Sequence, residues 1–131
     1  MMLTLFTRIV RGEIPCHKIL EDEKYLAFLD IRPIHPGHTL VITKKEVDYI
    51  FDVEDELLGG LMIFAKRAAV LIQKAVPCQR IGVMVAGLEV PHVHVHLVPI
   101  FDISDLNFAK AKSMPTEELA QTAQKIRSQN A

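Results

Sequence analysis

The sequence predicts an α+β domain built on a mainly antiparallel five-stranded sheet, with one long helix and short helices at either end. Three observations point there. Short apolar runs bounded by Gly, Pro and acidic turns occur up to Thr43 and resume at Ile81. A single amphipathic stretch between Asp52 and Val76 separates these two groups. A shorter helical pattern closes the chain at 115–128. With 131 residues, 50% of them apolar, the chain can build one core but not two, so a single domain over 1–131 is expected.

The first element is a short helix over Thr4 to Val10, where Leu5, Phe6, Ile9 and Val10 recur at helical spacing and Gly12 stops the run. Two strands follow, Lys18 to Leu20 and Tyr25 to Asp30, joined as a hairpin by the polar turn Glu21-Asp22-Glu23-Lys24. The loop Arg32-Pro33-Ile34-His35-Pro36-Gly37 leads into a third strand, His38 to Thr43. Leu57, Leu58, Leu61, Ile63, Phe64, Ala68, Leu71 and Ile72 then suit the long helix, with Asp52 or Asp55 as its N-cap. Gly59-Gly60 weakens that helix locally and permits close packing, and Pro77 ends it. A fourth strand, Ile81 to Val85, runs into the loop Ala86 to Pro91, and a fifth, His92 to Val98, is bounded by two prolines. The terminal helix places Leu119, Ala123 and Ile126 on one side and has Ser113 or Thr116 to cap it.

Charge and composition narrow the function. The net charge is −1 and no long Lys or Arg run occurs, which argues against duplex nucleic acid or an anionic membrane surface as partner. Apolar stretches such as Leu61 to Phe64 and Ala68 to Ile72 are interrupted by charges well short of a membrane span. Met1 to Val10 carries Arg8 in its middle and has neither a basic leader nor a cleavage site, so a cytoplasmic location is expected. Cys16 and Cys78, far apart in sequence, form neither a disulfide framework nor a metal knuckle and are read as free thiols.

The chemistry is concentrated in His92-Val93-His94-Val95-His96-Leu97-Val98, which holds three of the six histidines. In a strand, alternation puts all three imidazoles on one face, looking outward, and buries the aliphatic residues on the other. A strand whose polar face merely happens to be histidine is the plain alternative. Zinc is the sharper rival, because an HxH pair can ligate it. Four residues of strand span roughly 13 Å, however, whereas each ligand nitrogen must lie about 2 Å from zinc, so one ion does not readily hold all three. A two-histidine site would need carboxylate or thiolate help that the run itself does not supply. A row of imidazoles suits phosphorus chemistry: neutral His is a nucleophile, and its neighbours can position, protonate or stabilise charge. His94, flanked on both sides, is best placed to attack.

The pattern HxHxH followed by two hydrophobic residues resembles the signature of the histidine triad (HIT) family. The similarity to its nucleoside phosphoramidase branch continues upstream through Phe6 to Ile9, Gly12 to Pro15, Ala27 to Ile31 and His38 to Ile42. It covers residues 4–100 and leaves 102–131 as a C-terminal extension. The resemblance implies a homodimer whose long helices and neighbouring strands join two sheets into one. It implies that His94 forms a covalent nucleotidyl intermediate, which water resolves to a nucleoside monophosphate, on a purine nucleotide substrate such as a phosphoramidate or acyl-adenylate. His92, His96 and a fourth histidine, His38, would complete the catalytic set. By the same similarity Asp30 would bind the ribose hydroxyls, and Phe6, Ile9, Phe28 and Ile31 would line the base pocket. Phe6, Ile9 and Phe28 are equally readable as core, Asp30 as a turn cap and His38 as an exposed loop residue. His17 and His35 match nothing and are read as surface residues.

The departures from that pattern matter. Many bacterial relatives hold a structural zinc through a CxxC and later histidines; here Thr4, Thr7 and Glu46 stand at those positions, and neither metal nor cofactor is expected. The loop before the triad lacks the branch's Asn and Gly-Gln-Ser phosphate contacts and offers Ala86, Gly87, Leu88 and Glu89. Glu89 beside a phosphate is repulsive unless it pairs with a cation or faces the leaving group, so it would tune the site towards amines. Two other functions stay open: dinucleoside polyphosphate hydrolysis, which goes with a Gln-containing loop absent here, and a nucleotide-binding regulatory module that does not turn over.

Overall fold

Lys18–Glu21 (β1), Tyr25–Leu29 (β2), Thr39–Thr43 (β3), Arg80–Met84 (β4) and His94–Ile100 (β5) form one sheet in the order β1-β2-β3-β5-β4. Every neighbouring pair is antiparallel, as expected. The computed structural model describes residues 3–130; Met1, Met2 and Ala131, at the ends of the expected domain span and of the N-terminal segment read above, lie outside the described residues. Three α-helices accompany the sheet: Leu5–Val10 (α1), Asp55–Ala75 (α2) and Thr116–Arg127 (α3).

Alternation along the strands separates two faces. Tyr25, Ala27, Leu29, Val41, Val95 and Leu97 share an apolar cluster with Leu57, Leu61, Phe64 and Ile72 of α2 and with Leu119, Ala123 and Ile126 of α3. Burying each such large side chain contributes about 1.5–3 kcal/mol, so this face carries most of the stability. On the opposite face, Leu26, Phe28, Leu40 and Ile42 pack with Phe6 and Ile9 of α1. His94 pairs with Ile42 and His96 with Leu40, which puts both imidazoles on this second face. The C-terminal helix is tied down by the Arg127 guanidinium, which donates to the Lys18 carbonyl at 2.6 Å.

Several expected boundaries move. β5 begins at His94 and runs through Pro99 to Ile100, whereas His92 and Val93 precede it. Pro99 is tolerated because Ile100 faces β4, accepting from Gln79 N at 3.0 Å, so the missing Pro99 donor points to the β3 side, where pairing already ended at Leu97. Glu54, not Asp52 or Asp55, occupies the N-cap of α2 and makes no side-chain bond. Asp52 ends a 3-10 turn, Ile50–Asp52, while Asp55 and Glu56 sit in the first turn of α2, where the helix dipole favours negative charge. Pro115 precedes α3 without a side-chain cap, Thr116 is already helical, and Ser113 instead meets Arg32. Gly60 does permit close packing: a Cβ there would collide with the Tyr25 hydroxyl and stand 2.9 Å from its Cζ. No helix among the described residues is long and apolar enough to cross a membrane.

Candidate active site

The second face of the sheet, α1 and the chain crossing after β5 enclose a cavity of about 510 Å³. Of the residues singled out from the sequence, Phe6, Ile9, Phe28, Asp30, Ile31, Glu89, His94 and His96 line it together. His38 and His92 lie behind this wall. Residues the sequence did not single out complete the lining, among them Cys16, Arg32, Leu40, Phe108 and Ala111. Cys16, half-buried like Cys78, is a free thiol.

All three triad histidines are buried, which corrects the expectation that they look outward. Hydrogen bonds fix what each ring nitrogen can do. His94 Nδ1 lies 2.7 Å from the His92 carbonyl, which can only accept, so Nδ1 carries the proton and Nε2 holds a free lone pair. His94 also lines the cavity, so this nitrogen is the one within reach of a bound substrate.

His96 belongs to a relay. The Ile34 N–H donates to His38 Nδ1 at 3.0 Å, so neutral His38 carries its proton on Nε2 and donates it to His96 Nδ1, also at 3.0 Å. His96 is left with a donor N–H on Nε2. Burial holds His38 down at about 4 and His96, with His38 and His94 adding repulsion, at about 3. At neutral pH His96 is therefore a hydrogen-bond donor to developing charge, and not a general acid.

His92 is turned away from the cavity. Its Nε2 donates to the Thr43 carbonyl at 2.7 Å and its Nδ1 accepts from the Thr4 hydroxyl at 2.8 Å. Thr4 caps α1 by accepting from Thr7 N at 3.0 Å, and Glu46 gathers the Thr4 N–H and the Thr7 hydroxyl at 3.0 and 2.6 Å. Burial is the main cause of the lowered pKa of His92, and the bond to the Thr43 carbonyl and the Glu46 charge oppose it in part. His92 acts on His94 through its backbone carbonyl. Two hydroxyls, a carboxylate and an imidazole with both nitrogens engaged do not fit the thiolate and imidazole donors of a structural zinc site.

A second metal possibility arises from Asp30, His38 and His96, whose ligand atoms lie within 4.8 Å of one another. His38 has no lone pair to give, because Nδ1 accepts the Ile34 amide and Nε2 is protonated. The cluster reads as a hydrogen-bond relay. Asp30 Oδ2 stands 3.7 Å from His38 Nε2, but a neutral His38 makes no ion pair with it. Burial raises the Asp30 pKa, partly offset by the Arg32 amide that Oδ1 accepts at 2.9 Å. The carboxylate faces the cavity with capacity for hydroxyl donors.

Comparison with known proteins gives the family. The HIT domain matches residues 11–103. An uncharacterised HIT-like protein of Methanocaldococcus jannaschii is 33% identical over 123 residues, covering 89% of this chain and 95% of its own. An adenosine 5'-monophosphoramidase of Saccharomyces cerevisiae is 39% identical over 100 residues, covering 72% of this chain and 61% of that protein. Among solved structures, a HIT-like protein from Bartonella henselae, described as involved in cell-cycle regulation and solved with an unknown ligand, superimposes with a TM-score of 0.85. It is 34% identical, over 96% of this chain and 95% of that one. A buried histidine row beneath a cavity, in an α+β fold matched over most of its length, makes the chain a member of the HIT, or histidine triad, family.

Proposed function

We propose that the protein is a nucleotide hydrolase that cleaves purine nucleotide conjugates, phosphoramidates or acyl-adenylates, at the α-phosphate. The observation that carries this reading is the free Nε2 lone pair of His94 at the wall of an apolar cavity, fixed by the 2.7 Å bond from Nδ1 to the His92 carbonyl. In the first step Nε2 attacks phosphorus, a P–N bond to His94 forms and the bond to the leaving group breaks. An amine leaves with a proton from water, whereas an acyl group leaves as its carboxylate. His96 Nε2–H donates to a phosphate oxygen as charge develops there. Water then attacks phosphorus, releases the nucleoside monophosphate and returns His94, its surplus proton passing to solvent.

Phe6, Ile9, Phe28 and Ile31 supply an apolar wall suited to a purine, and the Asp30 carboxylate suits two ribose hydroxyls. Glu89, exposed at the rim, would repel an anionic leaving group and favour an amine; Glu89→Gln is expected to narrow that preference. We also read the protein as a cytoplasmic homodimer. Met62, Ile63 and Val70 are exposed on α2 and Val83 on the edge strand β4, the two elements through which a second copy would continue the sheet.

The test is turnover of an adenosine phosphoramidate, with the intermediate trapped and weighed. Wild type is expected to release AMP through an adduct one nucleotidyl group heavier, and His94→Ala to lose both, with a fall of at least about a thousandfold in rate. Tight AMP binding with no adduct and no turnover would overturn the hydrolase reading in favour of a binding module.

A further inference from the structure

Asp30 and His38 stand side by side where β2 meets β3: the Asp30 N–H donates to the His38 carbonyl at 2.9 Å, just beyond the pair Leu29 and Thr39. β3 in turn pairs with β5, with Leu40 opposite His96. Three neighbouring strands thus bring a carboxylate at the cavity, a fully buried imidazole and a triad imidazole into one row.

The middle member has one hydrogen to give. The Ile34 amide occupies His38 Nδ1, so Nε2 carries the proton, which His96 Nδ1 accepts at 3.0 Å. Asp30 Oδ2 lies 3.7 Å from the same nitrogen. That is too long for a hydrogen bond, yet close enough for an anionic oxygen to draw the N–H away from His96. Oδ1 already accepts the Arg32 amide at 2.9 Å, which leaves Oδ2 the freer oxygen. Ribose hydroxyls donating to this carboxylate would spread its charge and relax its pull. The His38 hydrogen then turns fully to His96. An imidazole that accepts a stronger bond at Nδ1 becomes a better donor at Nε2, so the gain passes to the N–H that serves the phosphate.

We propose that His38 is a positioning residue through which the triad senses the ribose, so that the nucleoside hydroxyls raise kcat as well as affinity and make ribonucleotides the preferred substrate class. The inference rests on the hydrolase reading given above. Were Asp30 only a holdfast for the sugar, losing the hydroxyls would raise KM and leave kcat alone.

The experiment compares adenosine phosphoramidate with its 2′,3′-dideoxy analogue. On the analogue, wild type is expected to lose about tenfold in kcat, a part of what a whole transition-state donor contributes, beside a rise in KM. His38→Gln replaces one N–H by an amide with two hydrogens, enough for His96 and Asp30 together. Its kcat should therefore be nearly equal on the two substrates, while the KM difference stays. Equal kcat on both substrates in wild type, or the wild-type ratio kept in His38→Gln, overturns the proposal. Wild type also reads the coupling without turnover or substitution: the His38 Nε2 proton resonance should move downfield with saturating AMP and not with 2′,3′-dideoxy-AMP, and an equal shift with both nucleotides overturns the proposal. Failure of the hydrolase reading shows differently, as no nucleoside monophosphate from either conjugate, while the resonance still reports the coupling.

Discussion

Thr4 joins three parts of the molecule through one side chain: it caps α1, fills the Nδ1 position of His92 and, by its amide, reaches Glu46. Thr4→Val keeps the shape and removes the hydroxyl, which unbinds the cap and leaves a buried ring nitrogen without a partner. A loss of about 2–4 kcal/mol is expected, against little for Thr4→Ser, as read from urea unfolding midpoints. Equal stability in the two variants would show that the hydroxyl is not what holds His92. At this scale the sequence showed that His94 and His96 share one face but not how His92 is used. Alternation along a strand is a local rule, and it places His94 and His96 correctly. The partners of His92 come from residues 88 and 49 positions away, Thr4 and Thr43, which no local pattern reveals. Phe108 was missed for the same reason, since its contact with His96 depends on how the chain turns after β5.

At the scale of elements, the meeting of β2 with α2 is set by one glycine. Tyr25 stacks near Phe64 at 5.4 Å and donates its hydroxyl to the Leu57 carbonyl at 2.9 Å, so its ring cannot retreat from a new Cβ at position 60. Gly60→Ala is expected to destabilise by about 1–3 kcal/mol despite the better helix propensity of alanine. Tyr25→Phe in the same background should recover part of that loss, which a double-mutant cycle would measure. Simple additivity of the two changes would place the strain elsewhere. Element types were legible because their periods are long or strict: eight buried positions along α2 follow one stripe, and β2, β3 and β5 alternate between two clusters. Their ends were less so. A proline reads as a strand terminus only if its missing donor faces a partner, and at Pro99 the partner strand had already ended.

For the molecule as a whole, the buried neutral histidines make stability depend on pH with a definite sign. Unfolded His takes a proton near 6.5, but folded His38 does so only near 4 and His96 only near 3. Between these values the unfolded chain binds more protons, so stability falls as pH drops from 6.5 and is complete above it. By pH 4 the loss for His38 is on the order of 3 kcal/mol. Asp30 acts the other way, because burial raises its pKa and the folded state gains its proton first, which offsets part of the loss at the acid end. Thermal unfolding is expected to show a constant Tm above pH 7 and a steady fall towards pH 4, shallower in His38→Gln; a flat profile between pH 7 and 5 would contradict the burial of neutral rings. The two faces of β5 carry a different consequence. His94 and His96 face the cavity while Val95 and Leu97 enter the core beneath α2. A one-residue slip would exchange the two sets, putting imidazoles among leucines and aliphatic groups at the cavity wall. Lineages can therefore substitute this strand one face at a time, but an inherited insertion or deletion within it would end folding and chemistry in one generation, which leaves length variation to the chain beyond Ile100.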